Sequence, residues 1–267
     1  MIGDSMDLLI TTIQSPPAFI KELAQQIAAD LQAPFILREQ SSLVTLRNTY
    51  QAETIVVITK NGPIVHTLGG GEYFFHLNMA ELRIENLKNG KNDHMVAAMS
   101  LTAGMSVLDC TLGLATDAIV ASFIVGQRGK VVGLVVSPIL ALVASYGLQH
   151  FTHDKEDITN ALRRIQVENK HCYDVLKKLP DNSFDVVFFD PMFRQPIYSS
   201  SNLKPLRYLA DDSPIAKNTF MEACRVAKKR VVIKEAAHNN EFERLGITTT
   251  YGGKYSSVQY GVIEVEN

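Results

Sequence analysis

From Met105 onward the chain alternates between short apolar runs and helical stretches without a break. Runs at 105–109, 131–136, 164–168, 184–189 and 230–234 read as strands. The stretches at 116–125, 138–151, 155–163, 173–178 and 215–227 read as helices. Strands that alternate with helices imply a parallel sheet with right-handed crossovers and helices on both faces. Between Ala103 and Phe151 only Asp109, Asp117, Arg128 and Lys130 are charged, as expected of strands buried on both sides. The end of the chain, 247–250 and 258–265 around Gly252-Gly253, reads as an antiparallel hairpin. The expectation is an α/β fold: a mostly parallel Rossmann-like sheet that closes on an antiparallel C-terminal hairpin.

The first 75 residues read as a separate small α/β domain. Strand 8–13 precedes a helix opened by Ser15-Pro16-Pro17, with Ile20, Leu23, Ala24, Ile27 and Leu31 on one face. A short strand at 35–37, a helix from Ser41 to Tyr50, a hairpin at 54–59 and 64–67, and a strand at 72–75 follow. Helices at 77–89 and 93–99 are expected to connect the halves, so the domains run 1–75, 76–102 and 103–267. One segment imitates a membrane span, since Val131 to Leu148 holds 18 residues with no charge. Spanning needs about 20 apolar residues, and Ser137-Pro138 breaks this run with a helix N-cap and a proline at the first helical position. No membrane partner is expected.

Charge narrows the partners. Lys plus Arg total 26 and Asp plus Glu total 28, a net charge of −2. No general basic field draws in nucleic acid, so any such contact needs a local patch. Cys110, Cys172 and Cys224 stand 62 and 52 residues apart, without a CxxC pair. That excludes a zinc knuckle or disulfide framework and points to a cytoplasmic protein with reduced thiols. His150 and His153 beside Asp154, Glu156 and Asp157 read as a helix end with a solvated acidic run, and no metal is expected. No Gly-x-Ser-x-Gly nucleophile elbow is present.

Two strand ends carry chemistry. In Val107-Leu108-Asp109-Cys110-Thr111-Leu112-Gly113-Leu114-Ala115-Thr116-Asp117, an apolar strand ends in an acid and a small-residue turn opens a helix. Ligands of doubly wound sheets bind outside the carboxyl ends of the strands, where helix N-termini offer free N–H groups. Only one glycine is present, which disfavours a dinucleotide loop, and Asp109 suits a cationic ammonium. The alternative is a plain strand–turn–helix connection with Asp117 as a solvated acid. In Phe184-Asp185-Val186-Val187-Phe188-Phe189-Asp190-Pro191-Met192-Phe193, a second buried strand ends in an acid. This resembles the Asp-Pro-Pro-Tyr segment of methyltransferases that act on exocyclic amines. Such an amine is a poor nucleophile because its lone pair is delocalised into the ring. Asp190 and the Pro191 carbonyl can accept its N–H bonds and free that lone pair, while Phe193 can stack on the base. A simple strand-ending turn is the alternative.

With both motifs in place, residues 103–265 resemble class I S-adenosylmethionine-dependent methyltransferases. They are most similar to the small-subunit ribosomal RNA guanine-N2 methyltransferase J family and its Gram-positive relatives. The resemblance rests on Asp109 to Asp117, Asp190-Pro191-Met192-Phe193, Lys204-Pro205-Leu206-Arg207, Arg230-Val231-Val232-Ile233-Lys234 and the His76 to Arg83 approach segment. It implies S-adenosylmethionine as cofactor, with contacts at Thr116, Asp117, Val135, Val136, His171, Cys172 and Asp190. Asp109, Thr111, Gly113, Ala115 and Ser137 complete the expected cofactor set. It also implies ribosomal RNA or the small subunit as partner. Arg83, Arg194, Lys204, Arg207 and Lys254 are candidate RNA contacts; Lys204, Arg207, Arg225, Lys228, Lys229 and Arg230 are candidates for a basic patch, with a solvated helix end and loop as the equal alternative for Lys228 and Lys229. The loop from Arg194 to Asp212 reads as a lid.

Two departures stand out. Val135 occupies the strand end where such enzymes carry an acid for the ribose hydroxyls. Loss of charged hydrogen bonds there weakens binding by roughly 10- to 150-fold, unless Ser137 or water compensates. Ala115 replaces a customary glycine. A non-catalytic RNA- or protein-binding relative, or an enzyme for a small molecule or protein, is therefore the competing expectation.

Overall fold

The computed structural model describes residues 7–69, 71–77, 79–191, 214–237, 240–253 and 256–265. These divide into two compact units, with the break between His76 and Leu77.

The N-terminal unit carries a four-stranded sheet in the order β1 (Leu8–Thr12), β2 (Thr54–Thr59), β3 (Gly62–His66), β4 (Glu72–Tyr73). β1 lies parallel to β2, and the others pair antiparallel. Helix α1 (Ala18–Asp30) begins after Pro17 and buries Ile20, Ala24, Ile27 and Ala28, the face that its periodicity predicts. Helix α2 (Leu43–Tyr50) starts at Ser42, whose hydroxyl accepts the Thr45 N–H. Arg47 then ties the unit together by donating to the carbonyls of Ala52, Glu53, His66 and Thr67. The strand expected at 35–37 reduces to one bridge between Phe35 and Ile10. So short a run gains too few ladder bonds to register as a strand.

The second unit begins with α3 (Met79–Lys88) and α4 (His94–Met99). Strands and helices then alternate: β5 (Ser106–Asp109), α5 (Thr116–Val125), β6 (Lys130–Leu134), α6 (Pro138–His150), α7 (Glu156–Arg163), β7 (Ile165–Glu168), α8 (Cys172–Leu176) and β8 (Phe184–Phe189). The described remainder holds α9 (Lys217–Val226), β9 (Ala227–Ala236), α10 (Glu241–Arg244), β10 (Thr249–Tyr251) and β11 (Val258–Glu264). The seven-stranded sheet has the order β10-β11-β9-β8-β5-β6-β7. All neighbours are parallel except β11, which pairs antiparallel with both β9 and β10. The helices expected as connectors over 76–102 pack within this unit, α3 against α5 and α4 against β9, β10 and β11. The uncharged run 131–148 resolves into β6 and α6, and no described helix is long and apolar enough to cross a membrane.

The strand order reverses at β5, with β6 and β7 following on one side and β8 on the other, which opens a crevice at the carboxyl ends of β5 and β8. Gly133 lies beside it on β6, opposite Asp109 in the ladder. Its bare backbone lets Leu112 lie across β6, and the Leu112 N–H reaches the Leu134 carbonyl at 2.9 Å. A Cβ at position 133 would fall 2.4 Å from a Leu112 methyl. Gly133→Ala is therefore expected to destabilise the protein by about 1–3 kcal/mol through overpacking, read as a lowered urea midpoint. An unchanged midpoint would show that Leu112 can move aside freely.

Candidate active site

The two acid-bearing strand ends meet. Past Asp109 the chain keeps bonding to β8, since the Cys110 N–H donates to the Phe188 carbonyl at 2.8 Å. Thr111 then joins the motifs: its N–H donates to Asp109 Oδ1 at 3.0 Å, and its hydroxyl accepts the Asp190 N–H at 2.5 Å. Gly113 (φ 48°) and Ala115 (φ 59°) are both left-handed, which turns the chain into α5. A left-handed alanine costs roughly 1–2 kcal/mol, so replacing the customary glycine shows here as backbone strain. Ala115 is the N-cap of α5, which places the Thr116 and Asp117 N–H groups at the open start of the helix.

Asp117 is not a solvated first-turn acid. It is buried, and its two oxygens face different cations: Arg83 Nη1 lies 2.5 Å from Oδ1 and Lys234 Nζ lies 2.9 Å from Oδ2. Burial by itself would raise its pKa, but Lys234 and Arg83 overcome that and hold the carboxyl well below the usual range. Lys234 Nζ also lies 2.8 Å from Asp190 Oδ2. Arg83 reaches on to Asp93, whose Oδ1 caps α4 by accepting the N–H groups of Met95 and Val96. Tyr260 pairs with Lys234 across β11 and β9, and burial together with Asp117 raises its phenol pKa. Asp190 is pushed up to about 6 by burial, with Lys234 pulling it down and Asp117 pushing it up. Asp109, only 2% exposed, is raised by burial to about 8.

The remaining predicted cofactor residues gather at the carboxyl ends of β6 and β7. Val135 is buried and Val136 is exposed, and the Asn169 side-chain amide donates to both their carbonyls at 2.8 and 2.9 Å. Ser137 caps α6 by accepting the Leu140 N–H, so its oxygen is engaged as an acceptor. His171 caps α8 through Nδ1, and Cys172 begins that helix and packs on the core beside Cys110. Pro191 follows Asp190 and is half-buried. Phe193, Arg194, Lys204, Arg207 and Lys254, and the lid expected over 194–212, lie outside the described residues.

Two sets of RNA candidates need correction. Arg83 does not present itself to an external phosphate: it is largely buried, and its guanidinium is held by Asp93 and Asp117. Lys228, Lys229 and Arg230 begin β9, and Lys229 pairs with Asp185 at the start of β8. In a parallel sheet that is the amino edge, opposite the crevice. Arg230 bonds the Ala98 carbonyl and Glu264, while Arg225 bonds Glu222, Asp181 and nearby carbonyls. Residues that sequence reasoning left without a role are Lys234, Asp93, Tyr260 and Asn169. Lys234 carried a signal, because a lone cation ends the apolar run Val231-Val232-Ile233 at the ligand edge of the sheet. His150 stacks on Tyr146 and His153 pairs with Glu81, and no metal-holding group occurs among the described residues.

This strand order with an acid ending each of two central strands is the architecture of a class I methyltransferase. The profile of the family described as "Putative SAM-dependent methyltransferase" matches residues 72–256, and the chain belongs to that family. It is similar to "Uncharacterized protein YpiP" of Bacillus subtilis, 37% identical over 96% of this chain and 99% of that protein. It is also similar to ribosomal RNA small subunit methyltransferase J of Coxiella burnetii, 28% identical over 91% and 92% of the two chains. Among solved structures, a SAM-dependent methyltransferase from Neisseria gonorrhoeae shares the fold with TM-score 0.64 and 17% identity, over 96% of each chain.

The residues present fit S-adenosylmethionine at one end of the crevice and fit it less well at the other. Asp109 is a buried carboxyl at a cation's expected position, the α5 N-terminus suits a carboxylate, and Val136, His171 and Cys172 suit the adenine. Val135 supplies no acceptor for the ribose, and neither Ser137 nor Asn169 supplies a charged one. Val135→Glu is expected to tighten cofactor binding about tenfold or more, measured by calorimetry, and equal or weaker binding would place the ribose elsewhere. Asp109 also predicts a pH dependence. With its folded pKa raised, the native state binds more protons than the unfolded chain between about pH 4 and 8. Stability of the free protein therefore falls across that window, with Asp190 adding to the fall up to about 6. A cation beside Asp109 favours the ionised form, so cofactor affinity rises toward pH 8. Asp109→Asn is expected to flatten both trends, and a wild-type affinity that does not vary with pH would contradict this placement.

Proposed function

We propose that this S-adenosylmethionine-dependent methyltransferase methylates the exocyclic N2 of a guanine in small-subunit ribosomal RNA. The observation that carries the reading is Asp190-Pro191 at the carboxyl end of β8, with the Asp190 N–H anchored on Thr111 and one carboxylate oxygen held by Lys234. Relatives named ribosomal RNA small subunit methyltransferase J, at 25–28% identity, support the substrate class.

When bound, the cofactor supplies an electrophilic methyl group with its own leaving group attached. The task left to the chain is to position the nitrogen in line and make its lone pair available. The Asp190 carboxylate and the Pro191 carbonyl accept the two N–H bonds of the amine, which draws the nitrogen toward tetrahedral geometry. The Asp190 carboxylate can also accept the proton that the methylated nitrogen must lose. The guanine has to be unpaired or flipped to reach this edge. Phe193 is the candidate stacking surface, and Arg194, Lys204, Arg207 and Lys254 are the remaining candidates for phosphate contact. The small ribosomal subunit is the proposed partner. A second reading, a binding protein that has lost catalysis, is favoured by Val135 alone.

Asp190→Ala is expected to abolish labelled-methyl transfer to small-subunit RNA while leaving the unfolding transition cooperative. Transfer retained at the wild-type rate in that variant would remove Asp190 from the mechanism. Wild-type protein that binds the cofactor but methylates neither free RNA nor the assembled subunit would favour the second reading.

A further inference from the structure

Lys234 is an expensive residue to place where it stands. It follows three fully buried apolar residues on β9, and burying an ammonium costs several kcal/mol unless its partners are well placed. Neutralising Asp117 does not by itself require it, because Arg83 already sits 2.5 Å from the other oxygen of that carboxylate. What distinguishes Lys234 is its second contact, the 2.8 Å approach to Asp190 Oδ2. Without this cation the half-buried Asp190 would face the like charge of Asp117. Two carboxylates so placed share a proton readily. A protonated Asp190 would turn one acceptor oxygen into an O–H donor, the wrong polarity for an amine N–H.

The same contact sets direction. With Oδ2 committed to Lys234 and the backbone N–H committed to Thr111, Oδ1 is the carboxylate oxygen that no hydrogen bond from the described residues engages. The hold extends outward through Asp117 to Arg83 and from Arg83 to Asp93, which caps α4. The charged and titratable groups around Lys234 therefore come from every neighbouring element: Arg83 from α3, Asp93 at the head of α4, Asp109 from β5, Asp117 from α5, Asp190 from the end of β8 and Tyr260 from β11.

We propose that Lys234 is a positioning residue for methyl transfer, which keeps Asp190 ionised and turns one of its oxygens toward the target amine, anchored in turn by the Asp117–Arg83–Asp93 chain. This rests on the reading of Asp190 as the acceptor for the amine.

The test compares full-length wild type, Lys234→Met and Lys234→Arg in two measurements. The first is a carbon-13 carboxylate titration of Asp190 by NMR, with its signal identified through Asp190→Asn, and it needs neither cofactor nor RNA. The titration midpoint is expected to rise by a unit or more in Lys234→Met, about a tenfold change in the proton equilibrium. In Lys234→Arg it is expected to stay close to wild type. The second is the pH profile of methyl transfer to RNA from cells that lack the gene. The acid limb of Lys234→Met is expected to move up by the same amount. Its kcat should fall about tenfold or more near neutral pH and recover in part at higher pH, with the cofactor KM changing far less. An unshifted Asp190 midpoint, or a kcat loss equal at every pH and not restored by Lys234→Arg, would overturn the proposal. Lys234→Gln is judged by the same criteria if the Met variant does not fold. Should the wild-type protein methylate none of the RNA, the substrate assignment fails while the carboxylate titration still decides the role of Lys234.

Discussion

The doubly paired carboxylate of Asp117 is the interaction on which the rest of this site depends. A buried carboxylate with one cation missing would be costly, since breaking a buried pair destabilises by roughly 3–5 kcal/mol. Here Arg83 arrives from a helix outside the alternating strand–helix pattern and Lys234 from a central strand. That requirement draws α3 and α4 against the sheet edge and fixes where β9 stands relative to α5. The same ammonium is also the partner of Asp190, so the cation that pairs with Asp117 bears on the charge of the candidate catalytic carboxylate.

The other constraint is electrostatic. Arg83 and Lys234 balance Asp117 and Asp190 at this edge, which leaves Asp109, raised to about 8 by burial, as the acid that a cationic ligand would ionise. A sulfonium cofactor with an ammonium group meets that demand. The end of β6 differs, because Val135 is an apolar residue where the resemblance leads one to expect an acid for the ribose. Cofactor affinity in this chain should therefore lean on Asp109, the α5 N-terminus and the adenine contacts.

Much of this was legible in the chain. Asp109 and Asp190 announce themselves because each ends a run of buried apolar residues, and the alternating pattern from Met105 predicts the parallel sheet and its hairpin. What escaped has a common physical cause. Arg83 looks like a free cation because its partners stand 10 and 34 residues away, and no local spacing reveals a tertiary ion pair. Lys228, Lys229 and Arg230 look like a patch beside the active site, yet they start the strand whose end lies there. Val135 helps the run 131–148 imitate a membrane segment, and in the fold it is a buried residue just past the end of β6.

The central claim is that this charge-tuned edge delivers a methyl group to a guanine amine of the small subunit. Mapping methylated guanines in small-subunit RNA from cells with and without the gene tests it most directly. The account predicts one N2-methylguanine that disappears with the gene and returns with the wild-type protein but not with Asp190→Ala. An identical map in all these cells would contradict it.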